Sequence, residues 1–218
     1  KPREGNGRSN KVHLEQLEPR ILLSADLTMQ MAAGANDLTL RLQNIEGADY
    51  VQLVNNADQS VVQSQALDDT TGVVITGTEQ SDRLTIDFSD FNDPSALPIT
   101  FQDTSQADSD TLTISGKDNT TWNIDDANTG SAEAVTFSGM ENLAGNPAET
   151  NTLDFSAVTA DLIFTIEAAG VASVAGDGNS LNYSATGMDA LIGGGGANRF
   201  AFEDGAAFAG SITGGSGA

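Results

Sequence analysis

A five-residue cassette constrains the fold of this chain more than any other feature of its sequence. Each copy begins with Asn or Asp and has an apolar residue two and four positions later. The copies lie at residues 36–40, 82–86, 110–114, 151–155, 179–183 and 198–202. Asn and Asp favour turns, and apolar residues at alternate positions give a strand one apolar face and one polar face. Such short β-type runs recur roughly every 10–12 residues, which predicts an all-β chain.

A longer internal repeat indicates how the strands are organised. Residues 139–145 read Gly-Met-Glu-Asn-Leu-Ala-Gly, and residues 187–193 read Gly-Met-Asp-Ala-Leu-Ile-Gly, an offset of 48. A cassette follows each segment. Repeats of this length are typical of stacked architectures, in which no unit buries its apolar face alone. At about two coils per unit, residues 34–218 would form on the order of eight coils, stacked roughly 4.8 Å apart.

The pattern therefore predicts a right-handed parallel β-helix, or β-solenoid. A β-sandwich of short strands is the alternative, especially over residues 34–130, where the repeat is weakest. There the loop Asp90–Pro98 interrupts the strand pattern, and proline is disfavoured inside sheets.

The charges divide the chain into two regions. The chain has 31 acidic and 9 basic residues, for a formal net charge of -22, yet five of the basic residues lie within residues 1–20. This asymmetry predicts a basic N-terminal segment at residues 1–33 and an acidic repetitive domain at residues 34–218, with a sub-boundary near residue 130. The apolar residues Val12, Leu14 and Leu17 predict a short helical or extended stretch that ends before Pro19.

Composition excludes several classes of function. The negative charge disfavours nucleic acid and anionic membranes as partners. The chain has no Cys and a single His, His13, so thiolate chemistry and multi-histidine metal sites are excluded. The apolar stretches fall short of the roughly 18 residues of a membrane-spanning helix, so we expect no membrane insertion. We expect no enzymatic activity, because the basic residues beyond residue 20 are few and scattered.

The N-terminal region carries a recognisable motif, Leu-Glu-Pro-Arg-Ile-Leu-Leu, at residues 17–23. It resembles the LEPR-XLL motif found near the N-terminus of very large, repetitive bacterial secreted and surface proteins. The positions that carry the resemblance are Leu17, Glu18, Pro19, Arg20, Leu22 and Leu23. The resemblance implies an extracellular or cell-surface location in a bacterium and a longer parent protein of which this chain is the N-terminal part. Two roles of the motif remain open: an apolar hook packed on the next domain, or a processing or surface-attachment signal.

A second resemblance lies near the other end, where Gly193-Gly-Gly-Gly-Ala-Asn-Arg-Phe200 is similar to the nonapeptide of RTX-type calcium-binding β-rolls. The resemblance implies a calcium turn at Gly193, Gly194, Gly196 and Asn198. However, one copy supplies only half of such a site, and Asn198 is neutral where an aspartate would add charge. A structural glycine turn is the preferred interpretation, so no cofactor is expected and calcium is the alternative.

Three acidic pairs are further candidates for calcium ligands or for a glycosidase carboxylate couple: Asp68-Asp69, Asp108/Asp110 and Asp125-Asp126. None has the spacing of an EF-hand loop. In so acidic a chain, we expect these residues to be solvated loop charges. The only tryptophan, Trp122, lies in a strand-like run and is expected in the core.

Together these features predict a non-catalytic extracellular structural or adhesive module of a large repetitive surface protein, forming a stalk or filament. The expected partners are other copies of the chain or the rest of the parent protein, together with a cell-surface or matrix ligand. The high negative charge would keep such an object soluble. A calcium-dependent RTX-like folding module and a β-helix polysaccharide-degrading enzyme are the alternatives.

Overall fold

The structure is a computed structural model that describes residues 24–34, 36–103, 105, 108–168, 171–176 and 182–217. The LEPR-XLL motif, His13 and the predicted N-terminal helical stretch lie outside these residues. The described part of the chain forms nineteen strands and two single-turn 3-10 helices, Leu67–Asp69 and Pro94–Ala96. In chain order the strands are β1 (Ala25–Gln30), β2 (Asp37–Ile45), β3 (Ala48–Asn55), β4 (Val61–Ala66), β5 (Thr70–Thr76), β6 (Arg83–Asp87), β7 (Ile99–Gln102), β8 (Thr111–Ser115), β9 (Thr120–Asp126), β10 (Thr129–Ala132), β11 (Val135–Ser138), β12 (Asn142–Gly145), β13 (Asn151–Asp154), β14 (Leu162–Ala168), β15 (Val171–Gly176), β16 (Asn182–Thr186), β17 (Ala190–Ile192), β18 (Asn198–Phe202) and β19 (Ser211–Thr213).

The strands form two large mixed sheets, which confirms the predicted all-β class. Sheet 1 has the strand order β1-β5-β7-β11-β10-β9-β13-β17-β19. Sheet 2 has the order β18-β14-β15-β16-β12-β8-β6-β2-β3-β4. Strand β1 belongs to the predicted N-terminal segment, yet it pairs with β5 at the edge of sheet 1.

The chain crosses repeatedly from one sheet to the other. Strands β5 and β7 are parallel neighbours in sheet 1, while β6 and β8, which follow them in the chain, are parallel neighbours in sheet 2. This alternation places the cassettes at residues 36–40, 82–86 and 110–114 side by side in register, so that Leu38 pairs with Leu84 and Leu84 with Leu112. All three leucines are fully buried. The cassette therefore fixes both the inward face of each strand and its alignment with the next.

Antiparallel meanders interrupt this alternation at three places: β2-β3-β4, β9-β10-β11 and β14-β15-β16. The first begins with a two-residue hairpin at Glu46 and Gly47, which both have positive φ (53° and 91°). Such a loop matches the right-handed twist of the flanking strands and favours an antiparallel hairpin. The sequence pattern alone had predicted continuous parallel coils at these places.

In one circuit the chain visits each of the two sheets once. The internal repeat spans one and a half such circuits, whereas the sequence predicted two coils. From residue 139 the chain forms β12 in sheet 2, β13 in sheet 1 and the β14-β15-β16 meander in sheet 2. The second copy then begins with β17 in sheet 1. Equivalent strands of successive copies, β12 and β17, therefore lie in opposite sheets.

The core lies between the inward faces of the two sheets. Trp122 is fully buried, as predicted. The Phe155 ring, which follows a sheet 1 strand, makes edge-on contacts with Phe164 and Tyr183 of sheet 2, at centroid distances of 5.4 and 5.9 Å. Near the last strands this burial is incomplete, and Phe202 of the edge strand β18 is 51% exposed. No helix in the described ranges has the length and apolar character needed to span a bilayer.

Candidate functional site

Three buried aspartates converge where strands of the two sheets meet their turns. Asp82 immediately precedes β6, Asp110 precedes β8 and Asp103 follows β7. Asp82 and Asp110 are fully buried, and Asp103 is 6% exposed. One carboxylate oxygen from each residue lies within 4.8 Å of the other two. Asp82 and Asp110 meet because each is the first residue of its cassette and β6 and β8 are parallel neighbours in register.

Hydrogen bonds fix the orientation of these carboxylates. The backbone N–H of Asp82 donates to Oδ1 of Asp110 at 2.8 Å, and the backbone N–H of Asp110 donates to Oε2 of Glu141 at 3.0 Å. Thr78 donates to the Asp82 carboxylate through both its backbone N–H and its hydroxyl. Acidic side chains at the start of neighbouring strands thus hold one another in a column.

The second oxygen of Asp110, Oδ2, is buried and has no hydrogen-bond partner. Both carboxylate oxygens of Asp108 are also buried and lack a partner. Burial raises the pKa of Asp110 to about 7, and the negative charges of Asp103, Asp108 and Glu141 contribute to the increase against the Asp82 hydrogen bond. Burial likewise raises the pKa of Glu141. Ionisation of these clustered carboxyl groups is therefore costly, because burial and mutual repulsion disfavour their charged forms.

Gly77 leaves the space into which two of the carboxylates point. A Cβ atom at this position would overlap Oδ2 of Asp103 and would lie 2.7 Å from Oδ2 of Asp82. The backbone N–H of Gly77 donates to the carbonyl of Gln102 at 2.9 Å, which holds the turn against β7. Any side chain at Gly77 would separate the carboxylates, so this glycine is part of the site although the sequence pattern did not single it out.

The cassettes that begin with Asn place a side-chain amide at the position where Asp82 and Asp110 have a carboxylate. The Oδ1 atom of Asn198 accepts from the N–H of Gly194 at 2.9 Å, while its Nδ2 donates to the carbonyls of Gly194, Gly196 and Gly214 at 2.7–3.0 Å. The amide nitrogen thus lies among three backbone oxygens. This geometry favours the structural-turn interpretation of the Gly193–Asn198 segment, because the side-chain amide already provides those oxygens with a donor.

Asn151 reproduces the donor half of this arrangement one repeat earlier, although its Oδ1 is buried and lacks a hydrogen-bond partner. Its Nδ2 donates to the carbonyls of Asn146 and Glu149 at 3.0 and 3.1 Å. Asp82 and Asp110 occupy the corresponding cassette position, but a carboxylate has no N–H with which to satisfy neighbouring oxygens.

The other acidic pairs are mostly exposed, as the sequence predicted, although Asp69 is half-buried. Asp68 lies exposed in the first 3-10 helix, and Asp125 and Asp126 lie exposed at the end of β9. The prediction of solvated loop charge was wrong for the pair Asp108/Asp110, because Asp110 is fully buried and both carboxylate oxygens of Asp108 are buried. The convergence with Asp103 and Asp82 depends on the register of stacked strands and has no counterpart in local spacing.

A shallow groove of about 460 Å³ runs across the outward face of sheet 2. Hydroxyl and amide side chains and one guanidinium form most of its polar lining. These residues are Ser81, Arg83, Ser109, Thr111, Asn142 and Ser184. No carboxylate belongs to the residues that line this groove.

Comparisons of the chain with protein-family models, with curated proteins and with solved structures find no match.

Proposed function

We propose that this chain is a non-catalytic structural module of a large, repetitive bacterial surface or secreted protein, built as a parallel β-helix with antiparallel insertions. The observation that supports it best is the in-register stacking of β2, β6, β8 and β12, which are parallel neighbours. Their inward residues are buried, as expected when each coil stabilises the next.

The LEPR-XLL resemblance supports the surface or secreted location in this proposal. The net charge of -22 supports it as well, because a strong net negative charge keeps a repetitive object soluble and opposes non-specific association. In such a protein the module acts as a spacer or stalk whose length follows from the number of coils.

The edge strands β18 and β19 supply a means of extending the stack. Each has one pairing partner within its sheet, and both present exposed apolar side chains: Phe202 is 51% exposed and Ile212 is 37% exposed. An unpaired strand edge offers backbone donors and acceptors to another strand. We propose that a further coil of the parent protein, or a second copy of the chain, pairs with these edges.

The lining of the sheet 2 groove argues against the polysaccharide-degrading alternative. Most glycoside hydrolases use two carboxyl groups that face the substrate. The groove provides hydroxyl groups and Arg83, whereas the converging carboxylates of Asp82, Asp103 and Asp110 are buried.

Sedimentation analysis over a wide concentration range tests the proposed edge pairing. We expect concentration-dependent end-to-end association of the chain, which the double variant Phe202→Glu/Ile212→Glu abolishes. Ile45→Glu is the matched control, because Ile45 is similarly exposed (42%) but lies at the β2–β3 hairpin. A chain that stays monomeric at millimolar concentration would contradict self-association through these edges.

Incubation with a panel of acidic and neutral polysaccharides tests the non-catalytic assignment. We expect no new reducing ends and no unsaturated products. Turnover that survives repeated purification would overturn the proposal in favour of an enzyme.

A further inference from the structure

We infer that Asp82, Asp103 and Asp110 form a binding site for a divalent cation of the size of calcium, distinct from the glycine-rich turn at residues 193–198. The site would join the turn between β5 and β6 to the segment between β7 and β8. This inference is independent of the proposed function, because it rests only on the geometry of the buried carboxylates.

The spacing of the carboxylates fits a shared ion. Calcium binds oxygen ligands at about 2.3–2.6 Å, so two ligands of one ion lie at most roughly 5 Å apart. An oxygen of each of the three aspartates lies within 4.8 Å of the other two. The separations of the three oxygens therefore match the span that a shared calcium ion bridges.

The unsatisfied oxygen of Asp110 is the second observation that points to a ligand. The side chain is fully buried, Oδ1 is held by the N–H of Asp82, and Oδ2 has no partner. A buried polar atom without a partner is costly, and buried charges in proteins are normally paired or coordinate metals. The buried, unpartnered carboxylate of Asp108 is available as a further ligand from the same segment.

The chemistry of the ligands favours calcium over other metals. The three aspartates offer oxygen only, and the chain contains no Cys and a single His. Oxygen ligands suit the hard cations calcium and magnesium, and magnesium retains several waters and demands near-octahedral geometry. A buried site formed by several carboxylates therefore matches calcium better.

The Asn cassettes at residues 151 and 198 carry an N–H donor at the position where the Asp cassettes carry a carboxylate. At Asn151 and Asn198 the side-chain Nδ2 donates to two and three backbone carbonyls, respectively. At Asp82 and Asp110 the cassette replaces this donor with a negatively charged acceptor. A divalent cation would offset two of the negative charges of these carboxylates, just as the amide N–H groups satisfy carbonyls at the Asn positions.

The experiment uses the full 218-residue chain, first with excess EDTA and then titrated with calcium chloride. We expect calorimetric binding of one calcium ion per chain and a rise in melting temperature of about 5–10 °C at calcium concentrations near 100 Kd. Terbium luminescence provides an independent measure of the same site, because Tb³⁺ replaces Ca²⁺ at oxygen-rich sites. Magnesium at equal concentration should produce a clearly smaller shift.

Two substitutions locate the ion. Asp110→Asn introduces the residue found at the equivalent cassette positions, so we expect it to fold in EDTA and to weaken calcium binding at least 10-fold. Asp82→Asn is the second variant and should show the same loss. Asp68→Asn is the matched control, because it removes one negative charge from an exposed position and should leave calcium binding unchanged.

Several results would overturn the inference. The first is an unchanged melting temperature together with no calorimetric or terbium signal for the wild-type chain at millimolar metal; protonation of Asp110 would then be what lowers the negative charge of the cluster. The second is calcium affinity that is equal in wild type and Asp110→Asn. The third is binding that survives Asp110→Asn but is lost in Asn198→Ala, which would assign the ion to the glycine-rich turn.

Discussion

The Asp110 carboxylate accepts a hydrogen bond from the backbone N–H of Asp82 at 2.8 Å, across 28 positions of sequence. The same relationship recurs between the N–H of Asn151 and the carboxylate of Asp189 at 2.9 Å. In both pairs an acidic side chain next to one strand accepts from the first residue of a cassette on its parallel neighbour. Part of the acidic character of the chain therefore serves to join adjacent strands at their first residues.

Asp110 should give the metal-free protein an unusual dependence of stability on pH. Its pKa is raised to about 7 in the folded chain, above the value of about 3.9 expected in the unfolded chain. Its contribution to the free energy of unfolding is therefore fully present below about pH 4 and is lost as the pH rises to 7. Denaturant unfolding in EDTA between pH 4 and pH 8 should show this decrease in wild type and a smaller one in Asp110→Asn. Parallel profiles for the two chains would contradict the assignment.

Leu112 lies on β8, between the parallel strands β6 and β12. It is fully buried and pairs with Leu84 and Leu143 on the two neighbouring strands. Leu112→Ala should lower the free energy of unfolding by about 2–5 kcal/mol, because it removes buried methyl groups and leaves a cavity. The adjacent Thr113 points to the other face, and Thr113→Ala should change stability by no more than about 0.5 kcal/mol. Equal effects in chemical denaturation would contradict the inward orientation of Leu112.

Gly187 begins the second copy of the internal repeat and has a φ of 71°. A Cβ atom there would overlap the backbone carbonyl of Gly145 on the neighbouring strand. Gly187→Ala should therefore cost more than the roughly 1–2 kcal/mol of left-handed backbone strain. Gly205 is the control, because its φ is 80° but a Cβ atom there would meet nothing within 4 Å. Thermal unfolding should show a larger loss for Gly187→Ala than for Gly205→Ala, and the reverse order would refute the close approach of these strands.

The Tyr183 hydroxyl donates to the carbonyls of Asp126 and Thr129, both at 3.2 Å. Burial raises the pKa of this hydroxyl above its ordinary value near 10. Above about pH 10 the Tyr183 hydroxyl ionises in the unfolded chain but not in the folded chain. The contribution of Tyr183 to the free energy of unfolding is therefore constant below about pH 10 and falls as the pH rises further. Absorbance at 295 nm should show that Tyr183 ionises only when the chain unfolds. A Tyr183→Phe variant identifies its part of the signal, and ionisation without loss of far-UV circular dichroism would contradict the burial.

The cassette pattern was sufficient to predict the strands that carry it and which of their residues face inward. Leu84, Ile86, Leu112 and Ile114 are all fully buried, because alternate positions of a strand share one face. At β18 the cassette is complete but burial is not: Phe202 is 51% exposed, and among the described residues β18 lies at the edge of its sheet.

The antiparallel meanders and the aspartate cluster were not predicted. The first meander depends on positive φ at Glu46, a residue that rarely adopts it, so only Gly47 gave a local signal. Asp103 is not part of a cassette, and its proximity to Asp82 and Asp110 follows from the register of stacked strands. Gly77 is essential to the cluster only because two carboxylates point at it.

The one-and-a-half-circuit repeat has a consequence for any longer array built from it. Because β12 and β17 are equivalent in sequence yet lie in opposite sheets, a surface residue encoded once per unit would be displayed alternately on the front and the back of the array. A flat target that contacts the array from one side would then meet the same residue only in every second unit. Its attachment points would recur once per two sequence repeats.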